Sequence, residues 1–223
     1  MLIKSLVQKK DYLTTVSESA TLEEALKVLE DSGFRCVPIL DETGKIFRGN
    51  IYKMHIYRHK SQGGDMNLPV TYLLKNATKT IRVSSAFYQV FFNIKDLPYI
   101  AVLDEDNNFY GILTHARLLD MLSEAWNIKV GSYVLTTLSG ADQGDLAKMT
   151  KIISKYTSIA GCLTLDAKRD EFVRRTLFTL PAGVSRELLD TVVSKLEKKG
   201  FVISEIEDLQ SGQAIRSDEN PYA

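Results

Sequence analysis

The chain has 223 residues, with 28 Lys+Arg against 28 Asp+Glu, three His and two Cys. That length allows two ordinary domains, and the balanced charge excludes the chain-wide positive field that draws a protein onto nucleic acid or an anionic membrane. Any anionic ligand must be held by a local site.

No uninterrupted apolar run approaches the roughly 20 residues that span a bilayer. The opening segment, with Lys4, Lys9 and Lys10 in a short apolar pattern, carries no export signal. A cytoplasmic protein without membrane, DNA or RNA partners is expected. Cys36 and Cys162 each lie in an apolar stretch and read as core thiols in a reducing compartment, not as a disulfide or metal ligands.

The first half repeats itself. Ile3, Leu6, Val7 and Val16 recur as Val70, Leu73, Leu74 and Val83, all at an offset of 67 residues (3 to 70). A helix follows in each copy, with Leu22, Ala25, Leu26 and Leu29 on one face and Phe87, Val90, Phe91 and Ile94 on the other copy's face. Next come apolar strands, Cys36-Val37-Pro38-Ile39-Leu40 and Tyr99-Ile100-Ala101-Val102-Leu103, each closed by an acidic turn that opens a hairpin. The return strands end in Gly49-Asn50-Ile51-Tyr52 and Gly111-Ile112-Leu113-Thr114, and residues 53–59 and 115–125 read as closing helices. One such unit of about 60 residues is too small to bury its own sheet well. Two packed face to face would share a core, with two equivalent clefts between them.

The duplicated pattern of Val-Leu-Asp turn followed by Gly111-Ile112-Leu113-Thr114 resembles the tandem CBS pair, with repeat 1 at 1–66 and repeat 2 at 67–125. The resemblance implies an adenine nucleotide in the clefts, AMP or ATP, with an Asp three residues after the Thr accepting from the ribose hydroxyls. Here that position holds Arg117, and in the first copy His55, where Tyr52 also replaces the Thr. Guanidinium suits phosphate oxygens and offers no acceptor to ribose. The substitution favours a phosphate-rich ligand such as cyclic di-AMP. The segment Gly33-Phe34-Arg35-Cys36-Val37-Pro38-Ile39-Leu40-Asp41 is also similar to cyclic di-AMP-binding CBS proteins of Gram-positive bacteria. In those, basic residues directly follow the second-copy Thr, where this chain has His115 and Ala116. The candidate nucleotide-binding residues are Thr14, Thr15, Arg35, Cys36, Val37, Pro38, His55, Thr114, His115 and Arg117. Cys36 and Val37 are assigned to the base, and His115 and Arg117 to phosphate.

Residues 126–129 read as a linker, with Trp126 packing between domains or against a dimer partner. From 130 to 209 the pattern is strand 130–138, helix with Leu146, Met149, Ile153 and Tyr156, strands 158–165 and 172–180, helix from Ser185, and a last strand from Phe201. That order is βαββαβ, a ferredoxin-like arrangement. The turn Gly140-Ala141-Asp142-Gln143-Gly144-Asp145-Leu146-Ala147 resembles the Asp-x-Pro-Gly-x-Leu-Ala turn of ACT domains, which implies Asp142 and Gly144 as amino-acid ligand residues. Asp142 reads first as a helix N-cap, a structural role that needs no ligand. The tail 210–223, polar and aperiodic, reads as disordered.

The expected fold is therefore α+β: a CBS pair with pseudo-twofold symmetry, then an ACT-like domain. No nucleophile elbow, P-loop, zinc helix or Cys-x-x-Cys is present, so neither catalysis nor a cofactor or metal is expected. The expected function is a homodimeric regulator that signals nucleotide binding to a partner protein. The alternatives are a structural or dimerisation protein with empty clefts, an AMP or ATP sensor, or an amino-acid sensor acting through the ACT-like domain.

Overall fold

The computed structural model describes residues 3–140, 142–166 and 174–217, and for Phe91, Asp166 and Ser217 it describes the backbone alone. The chain divides into two compact units, 1–119 and 120–223.

The first unit contains the two repeats. Repeat 1 runs β1 (Gln8–Lys9), β2 (Val16–Ser17), α1 (Leu22–Asp31), β3 (Cys36–Leu40), β4 (Phe47–Tyr52) and α2 (Lys53–Ser61). Repeat 2 runs β5 (Thr80–Arg82), α3 (Phe87–Ile94), β6 (Tyr99–Leu103), β7 (Phe109–Thr114) and α4 (His115–Ala125), the last continuing into the second unit. Helix α1 starts where it does because Thr21 and Glu24 form a reciprocal capping box: the Thr21 hydroxyl accepts from the Glu24 N–H and the Glu24 carboxylate from the Thr21 N–H. Its face of Leu22, Ala25, Leu26 and Leu29 is buried, as the spacing requires.

Strand β3 is buried on both faces, which explains its unbroken apolar run. Val37 and Ile39 join Leu22, Leu26 and Ile51 in the core of repeat 1. Cys36 and Leu40 face the other way, into a shared core with Phe47, Tyr99, Ala101, Phe109 and Ile112. Phe47 stacks on Phe109 at 5.7 Å there. The repeats need each other to bury these faces.

They also exchange strands. Gln8 of the first repeat pairs with Ile112 in β7, and Lys75 of the second pairs with Asn50 in β4. The crossings are equivalent, and each requires a glycine. A Cβ at Gly111 would collide with the Gln8 carbonyl, and one at Gly49 would come within 2.7 Å of Leu74. The repeat offset is not constant, however. Ile81, not Val83, occupies the place of Val16: Val16 pairs with Ile39 and Ile81 with Val102, while the N–H groups of Glu18 and Val83 bond to Leu40 and Leu103. The loop between the first turn and the sheet is two residues shorter in the second copy, a slip that an apolar match alone does not register.

The second unit runs β8 (Tyr133–Ser139), α5 (Asp145–Ile153), β9 (Gly161–Asp166), β10 (Arg174–Thr179), α6 (Arg186–Glu197), β11 (Val202–Asp208) and β12 (Gln213–Ser217). The antiparallel sheet is ordered β12-β11-β8-β10-β9. Its first four core strands have the ferredoxin-like order expected of an ACT-like domain, with β12 added at one edge. Met149, Ile153, Leu189, Val192 and Leu196 of the helices pack on Leu135, Phe178, Ile203 and Ile206 of the sheet. Ser185 caps α6 by accepting from the Leu188 N–H at 3.2 Å.

Five expectations fail here. Cys162, expected as a core thiol, is exposed on the edge strand β9. The strand expected from residue 130 begins at Tyr133, because residues 126–130 turn, with Asn127 at φ 53°. Leu146 is exposed and not part of the buried helical face. Asp142 is not the N-cap of α5: that place belongs to Gly144 at φ 89°, with no side-chain cap, and Asp142 instead accepts from the Asp145 N–H through its carbonyl. The tail is ordered as far as Ser217, because Gly212 at φ 68° turns the chain, Ile215 packs on the core and Arg216 pairs with Glu197 at 2.7 Å. The charged turn expected after Asp166 falls on 167–173, outside the described residues.

Candidate functional site

The candidate residues fall into separate groups in the first unit. Pairing of β2 with β3 stops at Val16 and Ile39, so the half-buried Thr14 and Thr15 lead into the sheet where Cys36, Val37 and Pro38 have no β2 partner. Proline suits that stretch, because no N–H is needed there. Arg35 is exposed, and its carbonyl accepts from the Lys53 N–H at 2.9 Å.

In the second copy, Thr114 ends β7 and caps α4 by accepting from the Arg117 N–H at 3.3 Å. This cap fixes the Arg117 backbone while its side chain, like that of His115, is exposed. Thr114 lies in register with Tyr99. The Tyr99 hydroxyl accepts from the Cys36 thiol at 3.7 Å and donates to Asn50 Oδ1 at 2.7 Å. Cys36 is thus joined to the strand pair that leads into Arg117. Burial pushes the Cys36 thiol up to about 11 and raises the Tyr99 phenol further, so both stay protonated near neutrality.

His55 belongs to a different group. Its ring lies 5.2 Å from that of Tyr52, whose hydroxyl accepts from Asn76 Nδ2 at 2.7 Å. Burial, with Lys75 and Arg58 adding to it, lowers the His55 pKa, which keeps the ring neutral. His55 Nδ1 is buried and has no hydrogen-bond partner among the described residues. Burial also pushes the Tyr52 phenol up to about 12, with Cys36 adding to the rise. The two repeats therefore differ at matching positions. The Thr of one is the Tyr of the other, and Tyr52 is locked to Asn76. The Tyr52–Asn76 and Tyr99–Asn50 contacts were not anticipated. Their available signal was polar Asn50 inside an apolar strand ending in Tyr.

In the second unit, Asp142 and Gly144 are both exposed at the turn into α5. Trp126 is half-buried and lines a cavity of about 200 Å³ within that unit, with Ile128, Val134, Leu163, Leu177 and Leu209. Among the described residues there is no cluster of His, Cys, Asp and Glu that could hold a metal, and no helix is long and apolar enough to cross a membrane.

Residues 4–61 match the model of the CBS domain family. Among solved structures, CbpB in complex with c-di-AMP is similar at 18% identity and TM-score 0.50, over 55% of this chain and 85% of that one. A hypothetical conserved protein from Geobacillus kaustophilus is similar at 22% identity and TM-score 0.51, over 55% of this chain and 96% of that one. The first unit has the fold of a tandem CBS pair. CbpB from Streptococcus agalactiae shares it at 17% identity and TM-score 0.50, over 55% of this chain and 80% of that one. No curated protein matches the chain in sequence. The strand exchange at Gln8 and Lys75 joins the halves of the CBS pair, and Arg117 lies on the first turn of the closing helix of its second repeat.

Proposed function

We propose that the chain is a non-catalytic, cytoplasmic regulator that binds one cyclic di-AMP in the cleft of its CBS pair bordered by Thr14, Thr15, Cys36–Pro38, Thr114 and Arg117, and passes that state to a partner protein. The observation that carries this reading is Arg117: an exposed guanidinium on the first turn of α4, its backbone fixed by the Thr114 cap, where an ordinary adenylate site would present a carboxylate. A cation at a helix start can meet phosphate together with the free N–H groups of that turn. The backbone of Cys36–Pro38, left without a β2 partner, offers hydrogen-bonding groups to a base. CbpB, which shares the fold, forms a complex with c-di-AMP. Binding would act by favouring one packing of the repeats or of two protomers, which requires different affinity for the two states.

Calorimetric titration with cyclic di-AMP, AMP, ATP and adenosine tests the reading. Cyclic di-AMP is expected to bind more tightly than the rest, at one molecule per chain. Arg117→Ala should weaken it about tenfold, the value of one charge-assisted hydrogen bond, and leave adenosine unchanged. No binding of any nucleotide at roughly millimolar concentration, about a thousand times a micromolar dissociation constant, overturns it.

A further inference from the structure

We infer that the first unit carries a second anion site, unrelated to the nucleotide clefts, in which Lys9, Lys10 and Lys45 hold a diphosphate group. These three residues line a cleft of about 380 Å³ together with Asp11, Asp104, Asn108, Phe109 and Tyr110. That volume is within the ordinary range for small-ligand sites, about 300–1,000 Å³. The cleft forms where the β1 crossing meets the two hairpin turns, which are tied together by the bond from the Phe109 N–H to the Lys45 carbonyl.

The charges in it are arranged unequally. Among the described residues none of the three lysines forms an ion pair; Lys10 Nζ reaches only the Gly44 carbonyl, at 3.4 Å. A fourth lysine, Lys4, lies over the Tyr110 ring, 5.8 Å from its centroid. Of the two acids, Asp104 is already occupied: one oxygen accepts from the N–H groups of Asp106 and Asn108, the other from Asn108 Nδ2. Asp104 stays ionised, its pKa lowered by the bonds from Asn108, then by Asp106 and the charge of Lys10, so three lysines line the cleft with two carboxylates, a balance of one positive charge in a chain whose net charge is zero.

The fold does not require this charge. At the offset of 67 the second copy has Asn76, Ala77 and Thr78 against Lys9, Lys10 and Asp11, with Asn76 left-handed at φ 58° where Lys9 is extended at φ −65°, and its hairpin turn, one residue shorter, sets Asn107 against Lys45. The second copy builds its own shorter turn and its crossing with none of these lysines. Lysines on flexible stems around a concave surface bind phosphate oxygens as point charges. Three ammonium groups around one cleft offer more donors than an orthophosphate needs, and the larger set of oxygens on a diphosphate suits them better. Both inorganic diphosphate and a nucleoside diphosphate present that group.

The test titrates the full chain at low salt with inorganic pyrophosphate and, separately, with ADP. The lysine pair variant Lys10→Ala with Lys45→Ala should weaken pyrophosphate by tenfold or more, about one charge-assisted contact per lysine. Asp11→Asn should tighten it, a gain that misfolding cannot produce. Arg117→Ala should leave it unchanged, which separates this site from the nucleotide cleft. A nucleoside diphosphate is the source if ADP binds more tightly than pyrophosphate and the lysine variant removes that advantage. The proposal is overturned if the lysine variant binds pyrophosphate like the unaltered chain. It is equally overturned if Glu42→Gln, on the hairpin outside the cleft, tightens binding as much as Asp11→Asn, because the anion would then respond only to the general field.

Discussion

The Tyr99 hydroxyl donates to Asn50 Oδ1 at 2.7 Å, and both side chains are buried where the two repeats meet. Tyr99→Phe leaves the Asn50 oxygen without its donor in a place that water cannot easily reach. An abandoned buried acceptor costs about 1–3 kcal/mol. Urea unfolding should therefore show Tyr99→Phe destabilised by that amount, and Asn50→Leu by a similar one. The double variant should cost less than the sum, because neither partner then waits unsatisfied. Simple additivity would mean that the bond contributes nothing as a pair.

Gly111 and Gly49 sit at matching strand crossings, but their neighbours differ in stiffness. The nearest atom to a Cβ at Gly111 is the Gln8 backbone carbonyl, which is paired in the sheet and cannot move alone. At Gly49 it is the Leu74 side chain, which can rotate, with the Lys75 carbonyl next at 2.9 Å. Gly49 adds a backbone cost of its own, because its φ of 154° is one that an L side chain rarely adopts, so Gly111→Ala and Gly49→Ala are both expected to cost at least the roughly 1–3 kcal/mol typical of overpacking. Denaturant midpoints decide it, and a variant that unfolds at the midpoint of the unaltered chain would show that its crossing does not need glycine.

Much of this fold was legible because its signals are local and repeated. Leu22, Ala25, Leu26 and Leu29 share a face only in a helix, and Gly200 at φ 87° follows the helix that it was expected to end. Other features depend on partners distant in the chain. The tail at Gln213–Ser217 has no periodicity of its own and is a strand because β11 offers it an edge. Asp142 has the composition of a cap, yet the left-handed Gly144 moves the helix start beyond its reach. At the candidate site, the replacement of an acid by Arg117 could be read directly. The locking of Tyr52 by Asn76 could not, because the two residues meet only when the second repeat returns to the first.

The Asp41 carboxylate gives the unit a definite acid dependence. The Thr43 hydroxyl donates to one oxygen at 2.6 Å, and the N–H groups of Lys45 and Ile46 donate to the other at 2.8 and 2.7 Å. The Thr43 bond above all, then the Ile46 amide, holds its pKa at about 2, below the ordinary 3.8. A carboxylate lowered by folding stabilises the native state above its unfolded pKa and loses that contribution as pH falls through the folded value. The Tm difference between the unaltered chain and Asp41→Ala should be constant at neutral pH and shrink as pH falls from about 4 towards 2. A difference that stays constant over that range would place the turn's contribution in its backbone and not in the charge.

Tyr52 and His55 stand where the second copy has Thr114 and Arg117, and Asn76 Nδ2 donates to the Tyr52 hydroxyl. On the proposed reading, this cleft is closed and the chain takes a single nucleotide. Exchanging both residues, Tyr52→Thr with His55→Asp, removes the phenol ring and supplies the Thr-x-x-Asp pattern whose carboxylate accepts from ribose hydroxyls. The altered chain should bind AMP at one molecule per chain in this cleft, while cyclic di-AMP still binds once at the Arg117 cleft. Isothermal titration reads the two stoichiometries separately. His55 Nδ1 already lacks a partner, but Tyr52→Thr gives up the Asn76 bond, so the variant's melting temperature is measured beside the titration, and a folded variant that fails to bind AMP overturns the prediction. AMP binding by the unaltered chain at one site, blocked by neither Arg117→Ala nor excess cyclic di-AMP, would show instead that Tyr52 leaves its cleft open.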